Sequence, residues 1–126
     1  LRQDPITRDW VIINPARALR PHDDGGGAAP CPFCPGHEQQ ATAAVDAIEG
    51  PDGGWLVRAL PNKYPVLSTP PQETPGAAHA GSGRRLAGRG YHEVIVESPE
   101  HGTTLGVMPV DQVRRVLEMY ARRYRA

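Results

Sequence analysis

Cysteine, methionine, phenylalanine and lysine are scarce in this chain of 126 residues: two Cys, two Met, one Phe, and Lys63 as the single lysine. Two cysteines separated by two residues do not make the framework of a disulfide-stabilised secreted domain, which needs several spaced pairs. Long apolar runs are missing as well. Nothing approaches the roughly 18 residues of a membrane span, and the opening "LRQDPITRDW" has no apolar core of a signal peptide. A cytoplasmic protein with no membrane partner is the expectation. An excess of either charge is also lacking, with Lys+Arg and Asp+Glu both at 14. No overall field draws the chain to nucleic acid, although "RRVLEMYARRYRA" is locally basic. At 13.6 kDa there is room for one domain, residues 1–126, with a modest core.

Glycine and proline are plentiful instead, 14 of each. They collect in "PHDDGGGAAP" (21–30), "EGPDGG" (49–54) and the segment 68–90, which read as connections, the last a long flexible loop. Between them "WVIIN" (10–14), "WLVRAL" (55–60) and "YHEVIVE" (91–97) suit strands. In the third, Val94 and Val96 share the face expected to be buried, and Glu93, Ile95 and Glu97 share a mixed one. From Pro109 onward Val110, Val113, Val116, Leu117, Tyr120 and Tyr124 recur at helical spacing. Arg114, Arg115, Arg122 and Arg123 form its expected solvated face. Strands followed by one helix indicate an α+β fold with an antiparallel sheet.

The chemistry concentrates in "APCPFCPGHE" (29–38). The spacing of Cys31 and Cys34 lets two thiolates reach one tetrahedral zinc, as half of a site. A redox pair or two inert thiols are the other readings, and the redox one lacks its usual helix N-terminus. Among the histidines, His101 follows a strand in a loop that can turn toward another loop. His92 suits a half-buried, hydrogen-bonded position, and His37 suits either a ligand or a plain turn. Arg17 and Arg20 lie three apart in "NPARALRP", where a helical turn would project both guanidiniums to one side, a fork that suits phosphate oxygens, while on pattern alone two surface arginines are more often solvated. Asn62 and Lys63 follow a strand in "PNKYP", as a turn cap or as contacts to a polar ligand.

Taken in order, "RQDPITRDWVIINPARALRP", "CPFCPGHE", "WLVRALPNKYPVL", "GYHEVIVESPEHGTTL" and the following helix resemble the N-terminal part of the galactose-1-phosphate uridylyltransferase family, of the histidine-triad superfamily. The resemblance implies a histidine-triad-like antiparallel sheet with a packed C-terminal helix, present only in part. It implies an enzyme that exchanges UDP-glucose and galactose 1-phosphate for UDP-galactose and glucose 1-phosphate, through a covalent nucleotidyl-histidine. By the same resemblance Cys31, Cys34 and His101 fall on zinc ligands. Arg17, Arg20, Asn62 and Lys63 fall on the nucleotide-sugar site, and the full-length partner state is a homodimer. Some members carry an acidic residue where Lys63 stands.

The family's nucleophile sits in a His-Pro-His-Gln motif, whose first histidine is the fourth zinc ligand. That motif does not occur in these residues. The chain also opens on Leu1 and stops within helical sequence, so a fragment without the nucleophile, inactive alone, is the expectation. ADP-glucose-dependent members resemble the same motifs, making adenylyl transfer the alternative. Outside enzymes the rivals are a zinc-binding interaction module and a truncated gene product.

Overall fold

The computed structural model describes residues 1–14, 30–70 and 84–126. The chain divides into two compact units, one from Leu1–Gly26 with Tyr64–His92, the other from Gly27–Lys63 with Glu93–Ala126.

In the first unit β1 (Arg2–Gln3) pairs antiparallel with β2 (Trp10–Val11). The turn between them is closed by Asp4, whose Oδ1 accepts the backbone N–H groups of Ile6 at 2.8 Å and Thr7 at 2.9 Å. These two bonds hold the Asp4 carboxyl below its ordinary range. The strand expected over residues 10–14 stops at Val11, because Ile12 and Ile13 remain half exposed and find no strand to pair with among the described residues. His92 is half buried and accepts the Val66 N–H at Nδ1, 3.0 Å away, as its hydrogen-bonded reading anticipated. Of the expected loop 68–90, residues 71–83 lie outside the described residues, and Ser68 forms an isolated bridge with Arg89.

The second unit is a three-stranded antiparallel sheet in the order β3 (Asp46–Glu49), β4 (Trp55–Pro61), β5 (Glu93–Val96), with one helix, α1 (Val110–Arg125). β3 and β4 form a hairpin whose turn is closed by the Gly50 N–H on the Gly54 carbonyl at 2.7 Å. Gly53 has φ +78°, a left-handed conformation that costs glycine little. The register sets Ile48 opposite Val57 and Ile95 opposite Ala59. Alternation therefore gathers Ile48, Val57, Ala59 and Ile95 on one face. Val116 and Met119 of α1 pack there, completing the core. Gln112 fastens the start of the helix by donating through Nε2 to the carbonyls of Leu56 at 2.8 Å and Glu97 at 2.7 Å.

The helix meets the sheet on the side expected to be mixed. Ile95 lies in the core contact, and the two acidic residues flanking it are satisfied from α1. Arg123 grips Glu93 with two hydrogen bonds of 2.8 and 2.7 Å, and the Tyr120 hydroxyl donates to Glu97. That bond, with burial second, pushes the Tyr120 hydroxyl up to about 12. Arg123 is thus no part of a solvated face. Val110, Leu117 and Tyr124 point outward, 75%, 57% and 94% exposed. No helix among the described residues is long and apolar enough to cross a membrane.

The Glu93–Arg123 pair gives an expected pH signature. The Arg123 hydrogen bonds, against a smaller effect of burial, hold Glu93 below its ordinary 4.5. A depressed carboxyl contributes its stability in full above 4.5 and loses it as pH falls through the lower folded value. Glu93→Gln is expected to cost on the order of 1 to 3 kcal/mol at neutral pH. Melting curves of the two proteins should converge in acid below pH 4.5; a constant gap across that window would show that the ionised pair contributes nothing.

Candidate metal centre

The cysteine segment folds as successive tight turns, because its prolines and glycine leave few alternatives. The Cys34 N–H donates to the Cys31 carbonyl at 3.2 Å, and the His37 N–H donates to the Cys34 carbonyl at 3.2 Å. Gly36 takes φ +84° between them. A short 3-10 turn, Glu38–Gln40, follows. Both thiols are free and half buried.

His101 arrives from the loop after β5. The Glu100 N–H donates to the Ser98 hydroxyl at 3.0 Å, and Gly102 reverses the chain at φ +79°. The result sets His101 Nδ1 3.3 Å from Cys34 Sγ across 67 residues of sequence. One donor atom from each of Cys31, Cys34 and His101 lies within 4.8 Å of the others. They line a cleft of about 220 Å³ with Phe33, Val96 and Thr103.

Two sulfurs and an imidazole nitrogen are the donor set that zinc takes, and tetrahedral bonds of about 2.0–2.3 Å put ligand atoms about 3.3–3.8 Å apart. The cluster fits such an ion with small side-chain adjustments. Burial first, and then the Cys31 sulfur, holds the Cys34 thiol above its ordinary value, while the Arg58 charge works in the other direction. A metal binding here displaces thiol protons, so loading is expected to weaken in acid.

Of the other candidates, His37 is not in the cluster, and its Nδ1 contacts the Cys31 carbonyl oxygen at 3.1 Å. Asn62 is half buried at the end of β4 and Lys63 beside it is exposed. Arg17 and Arg20 lie outside the described residues. Sequence reasoning passed over Arg58, buried in β4 with its guanidinium on the Phe33 carbonyl at 3.0 Å. The available signal was a charged residue inside the apolar run "WLVRAL".

No protein-family model matches the chain. Among curated proteins it is 34% identical over 131 residues to ADP-glucose phosphorylase of Arabidopsis thaliana, covering 98% of this chain and 37% of that protein. It is 32% identical over 125 residues to galactose-1-phosphate uridylyltransferase of Thermotoga maritima, covering 99% of this chain and 35% of that protein. A solved uridylyltransferase structure superposes with a TM-score of 0.63 at 30% identity, over 98% of this chain and 33% of that one. The resemblance to the galactose-1-phosphate uridylyltransferase family holds. It extends along nearly the whole chain, and the chain spans about a third of the length of the curated relatives it matches. The α+β arrangement of antiparallel strands and a C-terminal helix is the part of the fold that the solved structure shares.

Proposed function

We propose that the chain is part of a nucleotidyltransferase that moves a nucleoside monophosphate between UDP-glucose and galactose 1-phosphate, and that Cys31, Cys34 and His101 hold a zinc ion within it. The observation that carries this reading is the meeting of His101 with Cys34, 67 residues away, and with Cys31 beside it, in a fold resembling uridylyltransferases. When bound, the ion supplies a cross-link between two loops. Arg17, Arg20, Asn62 and Lys63 are the proposed contacts to the nucleotide sugar, with cationic and amide donors facing phosphate oxygens. In the proposed chemistry a histidine nitrogen attacks the α-phosphorus as the sugar phosphate leaves. The phosphate oxygen of the second sugar then displaces that histidine. This histidine belongs to the His-Pro-His-Gln motif that these 126 residues do not contain. The longer protein is proposed to act as a homodimer.

An adenylyl-transferring or phosphorolytic reaction on ADP-glucose is the second reading, supported by the 34% identity to ADP-glucose phosphorylase. Equilibrium titration of the metal-loaded chain with UDP-glucose and ADP-glucose tests both. The expected result is binding that favours UDP-glucose and that Arg17→Ala weakens about tenfold or more, the loss of one charge-assisted phosphate contact. A preference for ADP-glucose would replace the first reading by the second, and a folded chain that binds neither would remove the substrate assignment. Transfer by this chain alone is expected to be undetectable; turnover free of host enzyme would refute the role given to the missing motif.

A further inference from the structure

Arg58 is 3% exposed, and among the described residues no carboxylate pairs with it. Its Nε is buried without a hydrogen-bond partner. A guanidinium in such surroundings is costly unless its neighbours supply negative potential. Here they do so from the cysteine segment. One terminal nitrogen donates to the Phe33 carbonyl at 3.0 Å and reaches the Pro32 carbonyl at 3.5 Å. The cation also lies 4.6 Å from the centroid of the Trp55 ring. Trp55 in turn donates its indole N–H to Glu38 at 2.9 Å, just beyond the second cysteine. Arg58 and Trp55, three residues apart on β4, thus hold the inside of the cysteine turn and the segment that follows it.

The peptide joining Phe33 to Cys34 is held from both sides. Its carbonyl accepts from Arg58 and its N–H donates to the Cys31 carbonyl at 3.2 Å. Because a trans peptide is planar, fixing those two groups fixes the plane from which the Cys34 side chain departs. Lysine cannot reproduce this, being a point charge without the planar fork.

Resting on the metal reading of Cys31, Cys34 and His101, we propose that Arg58 is a positioning residue of the metal centre, holding the Cys31–Cys34 turn in ligating shape before the ion arrives. The ordering of the loop is then complete in the metal-free protein, and binding does not have to supply it.

The test is titration with cobalt(II), whose visible absorption reports tetrahedral thiolate coordination, on wild type, Arg58→Lys and Arg58→Met. Arg58→Met is expected to weaken binding about 10- to 100-fold, the range for partners that orient metal ligands, with Arg58→Lys in between. In the metal-free protein the Cys34 amide should exchange with deuterium faster in both variants, while amides of α1 keep their wild-type rates. A purely structural role would lower the melting temperature and speed exchange in α1 too, leaving the cobalt affinity of the folded protein unchanged. If Arg58→Met does not fold, Arg58→Lys carries the comparison. Affinities within twofold across a wild type and variants that all bind cobalt overturn the role of Arg58 alone. A folded wild type that binds no cobalt overturns the metal reading, and this proposal with it.

Discussion

His101→Ala is expected to lower zinc affinity about a hundred- to a thousandfold and to remove most of the zinc-dependent rise in melting temperature. Structural zinc sites with four ligands bind with apparent free energies of about 10–16 kcal/mol, so one ligand accounts for about 2.5–4 kcal/mol, or about two to three decades in affinity. At zinc a hundredfold above the wild-type Kd, binding stabilises the folded state by about 2.7 kcal/mol. Raising Kd a hundredfold at that same zinc concentration leaves only about 0.4 kcal/mol. The effect is large because the ion would cross-link two loops that meet at the Cys34–His101 contact of 3.3 Å. Cys31→Ser and Cys34→Ser should behave alike, since hydroxyls do not replace thiolates on zinc. Metal content by mass spectrometry of the native protein, with competition titration for Kd, makes the comparison. If the serine variants lose zinc while His101→Ala keeps it at wild-type affinity, the third ligand is some other group.

Met119→Ala is expected to cost about 2–5 kcal/mol, and Leu117→Ala, two residues earlier on the same helix, within about 0.5 kcal/mol of nothing. Met119 is fully buried against Val57 and Ala59, while Leu117 is 57% exposed. The buried apolar set is small, only Val57, Ala59, Leu60, Met108, Val116 and Met119 among the described residues. A loss of that size is therefore a large part of the net stability of a domain of this length. Urea denaturation of both variants reads the difference directly. A larger loss at Leu117 would mean that α1 packs on its other side.

That contrast also marks where the sequence spoke and where it did not. The apolar runs that became β4 and β5 were legible, as was the helix after Pro109, because each carries its periodicity within itself. The helix face was not. The six apolar positions form a stripe of about a third of the circumference, and the face that packs is rotated away from its centre, so pattern alone chose Leu117 and Tyr124 and overlooked Met119. Arg123 was misplaced for a related reason: its long side chain finds Glu93, a partner that only the fold supplies. β3 escaped notice because "DAIE" has one strongly apolar residue, and its strand character comes from pairing with β4. At the site, Cys31 and Cys34 announced themselves through spacing. His101 was singled out by its loop after a strand and then by its order among the family-like motifs, while no local spacing could join it to Cys34 across 67 residues.

β4 writes two messages in one line of residues. Val57 and Ala59 look to the helix, and Arg58 between them looks to the cysteine turn. A strand read in steps of two cannot shift by one without exchanging its audiences. Removing Ala59 would carry the Arg58 guanidinium into the apolar layer and an apolar side chain beneath the cysteines, undoing the core and the support of the cysteine turn together. Changes of length in this hairpin are best placed where alternation is already broken, in the glycine turn of residues 50–54 and at the register shift beside Ile48 and Glu49.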